Sequence, residues 1–237
     1  MKKIYILCGI LLFTCGTFPQ AFANDYYYES GDPAFDSRPK AFQNWYIALT
    51  GAFSQQQDIK TRNQSPNAKI RFRTGEGGTF SLGRIIPQYP SVRVAAEVSY
   101  FYNKAAWVKP DGLGKFTAKG AVGYLNGFLN VYYDIQPEVF KDFSVYLGAG
   151  IGYSYAMISN IRNNTLGTVI RESQRGLAAG QVMAGIGYEF TPSWTLIGGY
   201  RLMFMEKPTF RGPAGSPNVK LQHPILSVLE VGLRINI

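Results

Sequence analysis

The residues from Phe143 to Met157 alternate without interruption between an apolar face and a face of small or polar side chains. Every odd position is apolar or aromatic, and every even position is Ser, Tyr, Gly or Ala. A period of two residues predicts a β-strand, because successive side chains of a strand point to opposite faces of the sheet. Strands of soluble proteins average about 5–6 residues, whereas a strand that crosses a bilayer needs about 9–11. The length of this run therefore favours a membrane-spanning strand.

The same alternation occurs in seven further segments. They are Trp45–Phe53, Thr79–Ile86, Val92–Tyr102, Ala121–Asp134, Gln181–Phe190, Trp194–Met205 and Val228–Ile237. The second of these is the least regular, because Arg84 falls on its apolar face. Tyr and Trp lie near many strand ends, as they do in the aromatic girdles of membrane barrels. The chain is therefore predicted to be all-β, an eight-stranded antiparallel up-and-down transmembrane β-barrel over residues 44–237.

The connections between these segments alternate between short turns and long loops, which is the outer-membrane arrangement. The long connections are Ser54–Gly77, Asn103–Thr117, Ser159–Arg175 and Glu206–His223. Charged residues make up only 16% of the chain, against about 25% in a typical soluble domain. The alternative is a secreted β-sandwich, which would need a second sheet over each apolar face. Because hydrocarbon covers such faces without a partner, the barrel is the favoured interpretation.

Residues 1–23 have the pattern of a signal peptide, with a positively charged start, the apolar run Ile4–Phe13 and a small-residue cleavage site. Residues 24–43 are predicted to form an acidic periplasmic N-terminal segment ahead of the barrel. Both cysteines, Cys8 and Cys15, lie in the removed peptide. The mature chain is therefore expected to form no disulfide and no cysteine-ligated metal site.

Three of the strand segments resemble a known family. Val92–Tyr100, Asn130–Ile135 and Tyr146–Ser154 look like core segments of the rickettsial-type surface antigens. These belong with the opacity proteins to the OmpA-like group of eight-stranded outer-membrane barrels. The resemblance covers about Asn44 to Ile237. It implies localisation in the bacterial outer membrane with loops at the cell surface, antigenicity, and in some members adhesion to host cells or modest pore activity.

The C-terminus is similar to the signal read by the barrel-assembly machinery, which is therefore an expected partner. Glu230 and Gly232 are followed by Ile235 and Ile237, where the signal usually has an aromatic residue at one of the two apolar positions.

The long connections carry most of the positive charge of the chain. They contain 14 Lys or Arg and 5 Asp or Glu, so their balance of +9 equals the formal net charge of the whole chain. The candidates for ligand binding in them are Lys60, Arg62, Lys69, Arg71, Arg73, Lys104, Lys109 and Lys115. Such a basic surface would meet the phosphates of lipopolysaccharide, or a host-cell protein or sulfated glycan. The plain alternative is that loops are where charges are solvated.

The inward faces of the strands carry a second set of charges. By parity, three cations and three anions point into the lumen: Arg93, Glu97, Glu189, Arg201, Glu230 and Arg234. The interior of an eight-stranded barrel is only wide enough for side chains, and unpaired buried ions cost several kcal/mol each. These residues are therefore predicted to pair into an ionic plug. The alternative is that they gate a narrow pore by exchanging partners.

Nucleic acid is not an expected ligand, because the basic residues are spread over four loops with little aromatic interleaving. An enzyme is not expected either. The only histidine, His223, lies at the end of the last loop, and Ser227 falls on the lipid-facing parity. No cofactor or metal is predicted. The predicted function is that of a surface antigen and adhesin. A small passive outer-membrane pore and a pure membrane scaffold are the alternatives.

Overall fold

The structure is a computed structural model that describes residues 44–62, 67–137, 142–163, 167–210 and 219–237. Eight long strands run through these residues. They are β1 (Trp45–Gln56), β2 (Gly75–Ile86), β3 (Tyr89–Pro110), β4 (Ala121–Ile135), β5 (Phe143–Ile158), β6 (Ser173–Thr191), β7 (Trp194–Met205) and β8 (Ile225–Asn236). All eight predicted segments lie in these strands, except that the last predicted residue, Ile237, follows the end of β8. No helix in the described ranges is long and apolar enough to cross a membrane. The predicted signal peptide and N-terminal segment, residues 1–43, lie outside the described residues.

The eight long strands form a closed antiparallel ring. Each strand pairs with its neighbours in the chain, and β8 closes the ring by pairing with β1. In that last pairing Tyr46 lies opposite Asn236, and Gln56 lies opposite Leu226. Closure satisfies the backbone groups of every strand in the ring, as a membrane-spanning sheet requires. The fold is the predicted eight-stranded up-and-down β-barrel.

The two faces of the barrel wall differ as the alternation predicts. Outward side chains are large and apolar, and those of Leu129 and Ile151 are 68% and 76% exposed. Inward positions of the same strands, such as Asn130 and Ser154, are buried. The outer surface is therefore an apolar belt suited to hydrocarbon, and the interior is a packed mixture of polar and apolar groups.

The strands extend further than predicted at the end of the barrel that carries the long connections, which we call the loop end. β3 has 22 residues and runs to Pro110, although residues from Asn103 onward were predicted to be loop. β6 likewise begins at Ser173, inside the predicted loop Ser159–Arg175. Beyond the apolar belt the alternation continues with polar residues outside and apolar residues inside. The pattern of apolar outward residues therefore ends at the edge of the belt, although the strand itself continues.

The long connections themselves form a second β-structure, which we call the loop sheet. Its strands, in spatial order, are Thr209–Phe210, Val219–Leu221, Ile59–Arg62, Ala68–Phe72, the end of β3 and Phe116–Thr117. A hairpin of Ile161–Asn163 and Gly167–Ile170 joins it through a bridge between Lys119 and Arg162.

An apolar cluster lies beneath the loop sheet and draws on all four long connections. We call it the loop core, and it contains Ile59, Ile70, Phe72, Val108, Ala118, Ile161, Ile170, Phe210, Val219 and Leu221. It is continuous with inward residues at the loop end of the barrel, including Phe101, Tyr124 and Met203. The loop end is thus filled with apolar side chains, and the charged residues lie deeper in the lumen.

Candidate functional site

Three charged residues meet in the middle of the lumen. Arg201 on β7 lies between Glu97 on β3 and Glu230 on β8, and its guanidinium donates to both carboxylates. One terminal nitrogen donates to Glu97, and the other donates to the two oxygens of Glu230 at 2.9 and 2.7 Å. All three residues are buried. Because parity places each on the inward face of its strand, the barrel brings them together from three separate segments.

Neutral side chains complete the hydrogen bonding of these carboxylates. Asn130 Nδ2 donates to Glu97 at 3.0 Å, and Gln181 Nε2 donates to the side-chain oxygen Oδ1 of Asn130 at 2.8 Å. The Thr50 hydroxyl donates to Glu230 at 3.2 Å. A buried carboxylate that accepts several hydrogen bonds in addition to a guanidinium is far less costly than an isolated one. The lumen therefore contains a connected polar layer.

A second ion pair lies nearer the opposite end of the barrel, where the short turns are. Arg93 on β3 donates to both oxygens of Asp134 on β4. Its guanidinium carbon also lies 5.3, 4.7 and 5.8 Å from the ring centroids of Tyr46, Tyr132 and Tyr146. Three aromatic faces around one guanidinium stabilise the cation while excluding water from it.

Glycines make room for these tyrosine rings. Tyr46 lies opposite Gly83, and a Cβ at that glycine would fall 2.2 Å from the ring. The Tyr146 hydroxyl group occupies the corresponding space at Gly185 and Gly199. The small residues on the inward faces therefore serve the packing of the interior.

The structure groups the predicted lumen charges differently from the expected single network. Arg234 lies near the Tyr46 ring and donates to the Thr195 hydroxyl at 3.3 Å. Glu189 lies outside the buried layer, because it is close to the end of β6 where the barrel meets water. Its side chain is exposed and forms no salt bridge with a described residue. Asp134, absent from the predicted set, is the partner of Arg93, and its inward parity was the signal that could have identified it.

The outward face of the loop sheet carries a row of lysines. Lys60 lies directly opposite Lys69, and Lys69 lies directly opposite Lys109 on β3. Ile59 and Ile70 are buried beneath this row, so the ammonium groups point away from the loop core. Like charges directly opposite each other on a sheet are destabilising. Two neighbouring connections thus place three lysines side by side, and the row is a concentrated positive surface.

Further basic and aromatic groups border the lysine row. Arg71 lies opposite Trp107, and Lys115 Nζ lies 5.2 Å from the centre of the Trp107 ring. Asp58 is an acidic neighbour, 2.9 Å from Lys69 Nζ and 3.9 Å from Arg71 Nε. The lysine row and these neighbours together make the basic face of the loop sheet.

The remaining loop candidates lie in other places. Arg73, just after the strand Ala68–Phe72, lies beside Lys104 of β3 near the apolar belt, since the Arg73 amide donates to the Lys104 carbonyl at 2.8 Å. Arg62 lies opposite Lys220 in the backbone pairing, and its side chain is outside the described part. Lys119 and Arg162, which sequence reasoning missed, lie opposite each other. Each directly follows an apolar residue that is buried, Ala118 and Ile161. An apolar residue followed by a basic one was the sequence pattern that could have identified them.

The single histidine lies at the loop end, with its Nδ1 atom 3.1 Å from the Met205 carbonyl oxygen. Within the described ranges, no group of three or more His, Cys, Asp or Glu is placed to hold a metal ion.

Comparison with known proteins supports the fold. No protein-family model and no curated protein matches the chain. Among solved structures, Neisserial surface protein A superposes with a TM-score of 0.51 and 19% identity, covering 82% of this chain and 98% of that one. The outer membrane protein OprG from Pseudomonas aeruginosa gives 0.48 and 16%, covering 81% and 96%. At 19% identity the likeness to Neisserial surface protein A shows the fold alone, which is that of the eight-stranded outer-membrane β-barrels.

Proposed function

We propose that this protein is a non-enzymatic surface protein of the bacterial outer membrane that adheres to host molecules through the basic face of the loop sheet. Its ligand is an anionic polymer, either a sulfated glycan or an acidic surface of a host-cell protein. The observation that carries this proposal is the cross-strand row of Lys60, Lys69 and Lys109.

The apolar belt supports the membrane part of the proposal. A soluble protein rarely exposes a continuous apolar surface of this kind, and hydrocarbon is the environment that covers it. With the belt in the bilayer, the loop sheet stands outside it, as do the long loops of outer-membrane barrels. Membership of the rickettsial-type surface antigens remains part of the proposal, and it is supported by the order of Val92–Tyr100, Asn130–Ile135 and Tyr146–Ser154 along the barrel strands.

The lysine row supports the ligand class for an energetic reason. Neighbouring strands lie about 4.8 Å apart, so the three ammonium groups repel one another, and the single carboxylate beside them, Asp58 at Lys69, offsets only part of this repulsion. A sheet also holds its side chains on a rigid base, which reduces the entropy lost when a ligand binds. A polymer with regularly spaced sulfates or carboxylates would neutralise the row along its length.

A passive pore is the competing hypothesis. It requires a water-filled path through the lumen, whereas the loop end is packed with the apolar loop core and the middle is occupied by paired charges. These observations favour adhesion over conduction. Single-channel currents in planar bilayers would overturn this preference.

The test is a triple substitution of the lysine row, Lys60→Gln/Lys69→Gln/Lys109→Gln. Each cation near an anionic surface contributes about 1 kcal/mol, so the variant is expected to bind immobilised heparin about 100-fold more weakly at physiological salt. Attachment of displaying bacteria to cultured host cells should fall in parallel. Surface plasmon resonance and counts of attached cells measure the two effects.

The matched control is Lys60→Arg/Lys69→Arg/Lys109→Arg, which keeps the charge and is expected to retain binding. Heat-modifiable migration in detergent gels verifies that each variant is folded. Equal heparin binding by the Gln variant and the wild type would disprove the role of the lysine row. A folded wild type that binds neither heparin nor host cells would refute the adhesin proposal.

A further inference from the structure

Arg73 and Lys104 form a basic pair that is separate from the lysine row. Arg73 directly follows the short strand Ala68–Phe72, and its amide donates to the carbonyl of Lys104 on β3 at 2.8 Å, which places the two residues side by side. Both side chains are exposed, and both lie on the outward face, since Phe72 and Ala105 beside them are buried in the apolar cluster. The pair therefore projects sideways from the barrel wall.

The aromatic residues at the two edges of the belt show where Arg73 and Lys104 lie along the membrane normal. Tyr133 on β4 lies opposite Val92 and marks one edge, and Tyr102, which lies opposite Gly123, marks the other. The stretch of β3 from Val92 to Tyr102 spans about 25 Å along the membrane normal, at about 3.3 Å per residue and a tilt near 40°. This is the height of the apolar band in outer-membrane barrels. Lys104 is the next outward residue after Tyr102, so the pair lies at the level of lipid headgroups.

Among the described residues, no acidic side chain forms an ion pair with either cation. The neighbouring outward groups Thr74 and Gln55 are neutral and hydrogen-bonded to each other at 3.0 Å. Glu76, the acidic group on the adjacent strand, lies opposite Tyr102, one step towards the belt. Neither Arg73 nor Lys104 forms a salt bridge with a described residue, whereas Lys69 and Arg71 share Asp58.

We propose that Arg73 and Lys104 bind a phosphate group of the glycolipid in the surrounding outer leaflet. A guanidinium can bind a phosphate through two parallel hydrogen bonds, and an adjacent ammonium adds a point charge. Below them, Tyr100 and Tyr102 offer amphipathic rings to the sugar and the upper acyl chains, as aromatic residues at membrane interfaces do. This site is independent of the proposed adhesin function, because it uses a different part of the barrel surface and a different ligand.

The test compares lipid A that carries its phosphates with lipid A from which they have been removed. Wild-type protein in mixed micelles is titrated with each lipid, and bound lipid is counted by native mass spectrometry. Two cations contributing about 1 kcal/mol each at an anionic surface give a preference of about 30-fold for the phosphorylated lipid. Arg73→Gln/Lys104→Gln is expected to lose this preference. Lys60→Gln/Lys109→Gln, which removes the same charge from the lysine row, is expected to keep it.

Equal binding of the two lipids by the wild type would overturn the proposal without any variant. Equal loss in both double variants would also overturn it, since general electrostatic attraction would then explain the preference. Heparin binding, measured on the same samples, should be retained by Arg73→Gln/Lys104→Gln and reduced in Lys60→Gln/Lys109→Gln. The lipid site and the adhesin proposal can therefore fail separately.

Discussion

Replacing Arg201 with Met is expected to lower the free energy of unfolding of the barrel by about 3–5 kcal/mol. The substitution removes the guanidinium that lies between Glu97 and Glu230 and leaves two carboxylates facing each other in the lumen. Removing one partner from a buried ion pair is costly, because the remaining charge has lost its solvent and its counter-ion together. Equilibrium unfolding in urea, followed by tryptophan fluorescence in detergent micelles, measures this loss.

The matched control removes all three charges, as Glu97→Gln/Arg201→Met/Glu230→Gln. This variant has no unpaired ion, and neutral replacements of buried ion networks are often tolerated. It is therefore expected to recover most of the lost stability. If the single and the triple variants are equally unstable, packing rather than charge pairing explains the effect. If Arg201→Met is as stable as the wild type, the ionic plug does not stabilise the barrel.

Replacing Gly83 with Val is expected to destabilise the barrel by about 3 kcal/mol, through overpacking rather than charge. A Cβ at this position would fall 2.2 Å from the Tyr46 ring, which is itself buried. The ring would have to move, and the hydrogen bond from Arg93 to the Tyr46 hydroxyl at 3.2 Å would be broken. The same urea titration measures the effect, and slower folding into micelles should accompany it.

Gly51→Val is the control for the Gly83 variant. Gly51 lies on the neighbouring strand β1 and faces outward, and a Cβ there would meet no atom within 4 Å. It adds apolar surface to the belt and is expected to leave stability unchanged. Equal stability of the two variants would show that Tyr46 does not depend on the space above Gly83.

The sequence predicted the barrel well because, within the apolar belt, each face of a strand meets a single environment. Parity alone placed Glu97, Arg201 and Glu230 in the lumen. It could not show which charges pair, because pairing depends on register between distant strands: Glu97 and Arg201 are 104 residues apart. Parity also could not separate Glu189 from the buried layer, since burial depends on the distance from the strand end.

The alignment of the three lysines could not be predicted from the sequence, for a different reason. Lys60, Lys69 and Lys109 were all identified as basic loop residues, but their alignment requires that two short strands pair with the extension of β3. In these strands the apolar side chains, among them Ile70 and Phe72, face inward, whereas the apolar side chains of the belt face outward. A pattern search tuned to apolar outward faces treats such a segment as irregular.

The loop core has a consequence for how this protein can change over evolutionary time. Surface loops ordinarily tolerate insertions and substitutions one at a time, because few contacts join them. Here all four connections share one apolar interior, so a change of length or of an inward residue in one of them disturbs the other three. Only the outward positions, among them Lys60, Lys69 and Lys109, are free to vary singly. Substitutions can therefore alter the charge of the basic face of the loop sheet while the shape of that face stays the same.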